Sequence, residues 1–148
     1  MIKRVELQHK IKYLGKEYSV VLHNDSDFTT AFETLQYPMG IIPKTEVPLI
    51  ASDPSHYNQI FIEGGHRTVH FYSYNDGRNE DCRKFIESMY GKYDVKAVFV
   101  FIIGSKDSSI YDFSSIVDTL QKDDEQCIGY MSTDSAVEGI SVRVIIGI

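Results

Sequence analysis

At 148 residues, with 43% apolar and 24% charged residues, the chain has the size and composition of one folded domain, not of a disordered segment. A net charge of −6 argues against broad, non-specific nucleic-acid binding, which needs a basic surface to displace counterions. No apolar run is long enough to span a bilayer. Met1-Ile2-Lys3-Arg4 also leads into alternating residues instead of the apolar core of a secretion signal, so a cytoplasmic, membrane-free domain is expected.

Residues 4–13 alternate, with Val5, Leu7, Ile11 and Tyr13 apolar and Arg4, Glu6, Gln8, Lys10 and Lys12 polar. This is the pattern of a half-buried strand. A turn at Gly15-Lys16 leads to a second strand over 17–24, in a register that sets Tyr13 beside Tyr18 and Ile11 beside Val20. The first sixteen residues carry five basic side chains against Glu6 alone, read here as a solvated strand face. A helix is predicted over 27–36 from Phe28, Ala31, Phe32 and Leu35, with Asp25 or Ser26 as its N-cap and Pro38 as its stop.

Residues 37–56 interrupt this regularity. All four prolines of the chain, Pro38, Pro43, Pro48 and Pro54, fall there, interleaved with Met39, Ile41, Ile42, Val47, Leu49 and Ile50. A connection of this length is either a covering segment, with one edge strand at most, or a lid or partner-binding loop.

Gly64-Gly65 lies between two alternating runs, a strong hairpin signal because both central turn residues need φ > 0. That turn pairs Glu63 with His66, Phe61 with Thr68, Gln59 with His70 and Tyr57 with Tyr72. One face then holds Tyr57, Glu63, His66, Thr68, His70 and Tyr72, the densest set of proton donors and acceptors in the chain. A second helix is predicted over 79–90 from Cys82, Phe85, Ile86, Met89 and Tyr90, capped by Gly91. Ala97 to Ile103 reads as a strand buried on both faces. A third helix covers 109–121, and Gln126 to Ser132 and Ile140 to Ile146 complete the strands. The expected fold is α/β or α+β, one domain spanning 1–148, with a mixed sheet of about 6–7 strands and three helices in the order ββα, long Pro-rich loop, ββαβαββ.

The chemistry-bearing positions follow from this arrangement. If the later strands run parallel, their carboxyl ends carry the loops Tyr74–Asn79 and Gly104–Ser109, where ligands of open α/β sheets bind. Arg78 lies in the first loop. Ser105, Lys106 and Ser108 precede a helix and offer a phosphate contact, although Gly-Ser-Lys-Asp-Ser-Ser is not a Walker A loop. His66 and His70 are four apart on a strand, about 13 Å at ~3.3 Å rise per residue, too far to share one metal ion. Cys82 and Cys127 form no zinc spacing and read as buried free thiols, so neither a metal nor another cofactor is expected. Glu63 facing His66 supports acid–base chemistry. His66-Arg67-Thr68 resembles one half of the repeated His-x-Thr/Ser motif of 2H phosphoesterases. No other histidine has a Ser or Thr two residues on, so the family is not assigned.

Three functions fit these residues. The first is a non-enzymatic binding module of inhibitor, immunity or ligand-sequestering type, using the Pro-rich loop and the hairpin. Tyr57, Tyr72, Arg67, Arg78, Ser105, Lys106 and Ser108 would then contact a protein partner or a small ligand such as a nucleotide. The second is a metal-independent phosphodiesterase or nucleotide-processing enzyme, with His66 and His70 as acid and base and Glu63 and Thr68 beside them. The third is a subunit of a homo-oligomer built through exposed strand edges.

Overall fold

Seven strands and three helices form the fold in a computed structural model that describes residues 8–13, 16–24, 26–36, 44–50, 68–75, 77–95, 97–120 and 127–148. In chain order they are β1 (Gln8–Tyr13), β2 (Lys16–His23), α1 (Phe28–Leu35), β3 (Glu46–Ile50), β4 (Thr68–Asn75), α2 (Asn79–Lys92), β5 (Ala97–Gly104), α3 (Ile110–Leu120), β6 (Cys127–Asp134) and β7 (Ile140–Gly147). The strands make one mixed sheet in the order β1-β2-β4-β7-β5-β6-β3. β2 pairs with β4, and β5 with β6, in parallel; every other pairing is antiparallel. β2, β4, β5 and β6 therefore run in one direction and end at one side of the sheet. This is the α/β class expected from the sequence. Among the described residues, no helix is long and apolar enough to cross a membrane.

The two faces of the sheet carry separate cores, because successive side chains of a strand point to opposite sides. One face joins Val20, Leu22, Val69, Phe71, Phe99, Phe101 and Ile145 to Ala31 and Leu35 of α1. The other joins Tyr72, Tyr74, Val98, Val100, Ile102, Val142 and Val144 to α2 through Cys82, Ile86 and Met89, and to α3 through Ile116 and Leu120. β5 feeds both, and its residues from Val98 to Ile103 are at most 3% exposed, as its unbroken apolar run predicts. Each such side chain contributes roughly 1.5–3 kcal/mol on burial.

The structure departs from the sequence reading at several joints. β4 is flanked by β2 at residues 68–72 and by β7 at residues 69–75, so both of its hydrogen-bonding edges are taken. The expected pairings of His70 with Gln59 and of Tyr72 with Tyr57 are therefore not available. The rest of that hairpin, with Tyr57, Glu63, His66 and Arg67, lies outside the described residues. The β1–β2 hairpin forms with Tyr13 opposite Lys16 and Ile11 opposite Tyr18, two residues from the expected register. A shift of two preserves the face of every side chain, so the hydrophobic pattern could not detect it.

β3 lies inside the Pro-rich stretch and pairs with β6 at the sheet edge, with a register irregularity between Pro48 and Ile50. Pro48 is tolerated there because an edge strand has one side without a ladder partner. Glu46 anchors the strand: its buried carboxylate accepts hydrogen bonds from the Tyr130 hydroxyl, at 3.1 Å, and from Ser132 Oγ. The α1 cap is Asp27, whose Oδ1 accepts from the Thr30 N–H at 2.6 Å. Of the two expected caps, Ser26 instead bonds to β4 and Asp25 lies outside the described residues. α2 continues through Gly91 to Lys92, with Tyr93 as its C-cap.

Candidate functional site: an arginine-lined cleft at the strand ends

A cavity of about 410 Å³ opens where β2 and β4 end and β7 begins. Its position follows from the sheet, since the carboxyl ends of parallel strands leave a crevice between the loops that depart from them. Asn24, directly after β2, has φ 53, a left-handed conformation that asparagine tolerates better than most residues. The turn lets its side-chain amide donate to the Ser73 carbonyl at 3.1 Å. Ser26 Oγ accepts from the Ser73 N–H at 2.8 Å. These two bonds fix the β2–α1 connection against the end of β4 and so shape one wall.

Asp27 and Thr30 of the first turn of α1 extend that wall. Ser73 and Asn75 of β4 and Ser141 of β7 form the base, and Arg78 and Arg143 supply positive charge. Arg143 is the better ordered of the two by its contacts. Its Nη1 donates to Glu33 Oε1 and to Thr34 Oγ1, each at 3.3 Å, and its side chain is 11% exposed. Arg78 is exposed and is the N-cap of α2, where no side chain caps the helix. The free N–H groups of that first turn favour a nearby anion, while Glu80 and Asp81 in the same turn oppose it. Among the described residues, the lining thus holds two guanidinium groups and the carboxylate of Asp27, within a chain of net charge −6. Its remaining polar groups are hydroxyls and amides, suited to the oxygen atoms of a small anion.

A smaller hollow of about 170 Å³ lies on the α2–α3 face of the same strand ends. Ile116, Ile140 and Val142 make it apolar, and Asn79, Asp112 and Ser115 make it polar. Tyr74 borders both cavities. Its hydroxyl donates to Asn79 Oδ1, and burial, followed by the neighbouring Cys82 and Tyr72, raises its pKa well above the usual phenol range.

The only two histidines among the described strand residues whose side chains are defined sit together, away from the cleft. His23 Nε2 and His70 Nδ1 are 2.7 Å apart, and the rings stack with centroids 4.9 Å apart. Phe85 packs on His23 at 4.7 Å and on Tyr72 at 4.6 Å, and Tyr93 packs on His70 at 5.2 Å. His70 is buried. Burial, and secondarily the charge of His23, push its pKa down to about 4. His70 shares the sheet face of Tyr72 and Tyr74, whereas Ser73 and Arg143 of the cleft project from the opposite face.

The other sequence candidates occupy different places. Thr68 begins β4 at the far end of the strand, where its carbonyl accepts from the Ile148 N–H at 3.2 Å. Tyr72 is buried under Phe85. Ser105, Lys106 and Ser108 border neither cavity. In their loop the Ser105 N–H donates to the Gly139 carbonyl, the Ser108 N–H to Ser105, and the Ser109 N–H to Asp112 Oδ2. Protein acceptors thus occupy three of the backbone donors that a phosphate would use. A Cβ on Gly104 would collide with Ser108, so the loop closes tightly over the strand end. Of the described candidates, Arg78 alone borders the cleft. Asn24, Asp27, Ser73, Ser141 and Arg143 were not singled out from the sequence. Arg143 carried a usable signal, as the one charge within the apolar run from Ile140 to Ile148. Among the described residues, no group of three or more His, Cys, Asp or Glu side chains is placed to hold a metal ion.

No protein-family model and no curated protein matches the sequence. Solved structures similar to the chain include a mutant FtsZ from M. jannaschii, with a TM-score of 0.47 at 12% identity, and an empty FtsZ dimer from the same organism, with 0.49 at 12%. Each comparison covers 83% of this chain and about two fifths of the FtsZ chain, 41% and 40% respectively. A likeness of this degree assigns neither a ligand nor an activity.

Proposed function

We propose that the protein is a non-enzymatic binding module for a small anionic ligand, most favourably one bearing a phosphate, held in the cleft between β2, β4 and β7. The observation that carries this reading is the convergence of Arg78 and Arg143 on a polar cavity of about 410 Å³ at parallel-strand carboxyl ends. Guanidinium groups match phosphate and carboxylate oxygens with paired hydrogen bonds, and the surrounding hydroxyl and amide groups complete such a shell. Binding is favoured over the acid–base alternative by the placement of His70. It points away from the cleft, is sealed by aromatic rings, and is held neutral at pH 7 with its Nδ1 engaged by His23.

The test is isothermal titration of the purified protein with inorganic phosphate, beside Arg78→Ala. Saturable binding that weakens about tenfold in the variant, or ~1.4 kcal/mol, supports the reading. Absence of phosphate binding by the unaltered protein overturns it. Native mass spectrometry of the protein as purified then reports whether a heavier anion is already bound.

A further inference from the structure

The cleft and the smaller hollow are divided by one strand end and one turn. β7 places Ser141 and Arg143 in the cleft and Ile140 and Val142 in the hollow, in strict alternation. After β4, Gly77, with φ 77, lines the hollow, while the next residue, Arg78, lines the cleft. Tyr74 belongs to both linings. The two cavities thus share Tyr74 at the end of β4, yet their chemistry differs. The cleft has two cationic side chains. The hollow has none among the described residues, and Asp112 on its rim disfavours an anion. Its apolar floor and its Asn79, Asp112 and Ser115 rim suit an uncharged ring with a hydrogen-bonding edge. At about 170 Å³ it has room for roughly six water-sized groups at ~30 Å³ each, the scale of one sugar ring.

We infer that the two cavities form one bipartite site for a phosphorylated sugar, with the phosphate in the Arg78–Arg143 cleft and the sugar ring in the Tyr74–Asn79 hollow. This rests on the anion-binding reading of the cleft and adds the identity of the group joined to the anion. Tyr74, whose hydroxyl donates to Asn79, is the residue common to the two parts.

Titrations with inorganic phosphate, ribose 5-phosphate and ribose test it, using the unaltered protein, Arg78→Ala and Ser115→Tyr. Ser115 is exposed on α3, so the larger side chain fills the hollow's rim without entering the core. The expected result is ribose 5-phosphate binding at least tenfold tighter than phosphate. Ser115→Tyr should erase that preference while leaving phosphate binding unchanged, and Arg78→Ala should weaken both. Thermal melts confirm that each variant is folded. Equal affinity for phosphate and ribose 5-phosphate, or a preference that survives Ser115→Tyr, overturns the bipartite site while leaving the anion reading intact. Failure of phosphate to bind at all overturns both. AMP, which adds a base to the same sugar phosphate, separates the two members of the class. Tighter binding than ribose 5-phosphate points to a nucleotide, and equal or weaker binding to a free sugar phosphate.

Discussion

The cleft and the histidine pair are built from the same two strands, and they differ in almost every physical respect. His23 is the last residue of β2 and Asn24 is the next, yet the first packs between Phe85 and His70 and the second lines a polar cavity open to solvent. The pair joins His23 Nε2 to His70 Nδ1, at 2.7 Å, and burial keeps His70 neutral near pH 7. The cleft gathers charge and leaves the exposed Arg78 beside it. Chemical reactivity read from residue type would favour the histidines. Geometry favours the arginines, because a ligand needs an opening and a buried neutral imidazole offers none.

The largest predicted effect concerns the pair. His70 has a pKa of about 4 in the folded protein against an ordinary 6.5. Between those values the unfolded chain binds the additional proton, so stability is greatest above pH 6.5 and falls as the pH drops toward 4. At 1.36 kcal/mol per unit the loss amounts to about 3 kcal/mol. The groups packed against His70 are His23 and Tyr93, and a second proton on the pair would bring two N–H groups face to face. Urea denaturation at pH 7.5 and 4.5 measures the loss. His70→Leu should remove most of the excess acid sensitivity over the shared background of titrating carboxylates. An identical pH dependence in both proteins would contradict the burial of a neutral His70.

The cleft's inner arginine should yield a smaller and mixed effect. Arg143→Leu removes the link from β7 to Glu33 and Thr34 of α1. Glu33 is 44% exposed and can turn to water, so the cost should be about 1–2 kcal/mol instead of the larger penalty of stranding a buried charge. Phosphate affinity should fall about tenfold as well. The exposed Arg78 separates these contributions. Its replacement by alanine should lower affinity by a similar factor while moving stability by no more than ~0.5 kcal/mol. A parallel loss of stability in both variants would mean that the arginines hold the fold together and do little for binding.

How far these features could be read from the sequence depends on how local they are. The three helices were legible because their apolar spacing is set within a few residues: Ala31 and Leu35, Cys82, Ile86 and Met89, and Ile116 and Leu120 all face the sheet. β5 was legible because its unbroken apolar run has few alternatives. The place of β7 was not. Val142, Val144, Ile145 and Ile146 can pair with any buried neighbour, and only the complete fold inserts this strand between β4 and β5. The Gly64-Gly65 signal specifies a turn but says nothing about which strands flank residues 68–72. The histidine partner was missed for the same reason, since His23 and His70 are 47 positions apart and meet through the parallel β2–β4 pairing. Arg78 was found because it sits in a strand-to-helix loop. Arg143 was overlooked within a strand that otherwise reads as core, where a lone charge in an apolar run is a reason to look for a site.

The smallest effect is the sharpest test of whether the cleft acts through charge. Asp27 is the only carboxylate among the described residues that line it, and that residue also caps α1 through the Thr30 N–H. Alanine would confound the two roles, since loss of a cap costs about 1 kcal/mol. Serine caps comparably well, so Asp27→Ser should leave stability within ~0.5 kcal/mol and remove one negative charge from the cavity. An exposed charge a few ångströms from a bound anion is worth on the order of 0.5 kcal/mol after screening, so phosphate affinity should rise about two- to threefold. The gain should shrink as salt is raised from 20 to 300 mM, in step with the Debye length. An unchanged affinity at low salt would place the anion beyond the reach of Asp27 and confine it to the Arg78 rim, whereas a gain that ignores salt would point to altered shape instead of charge.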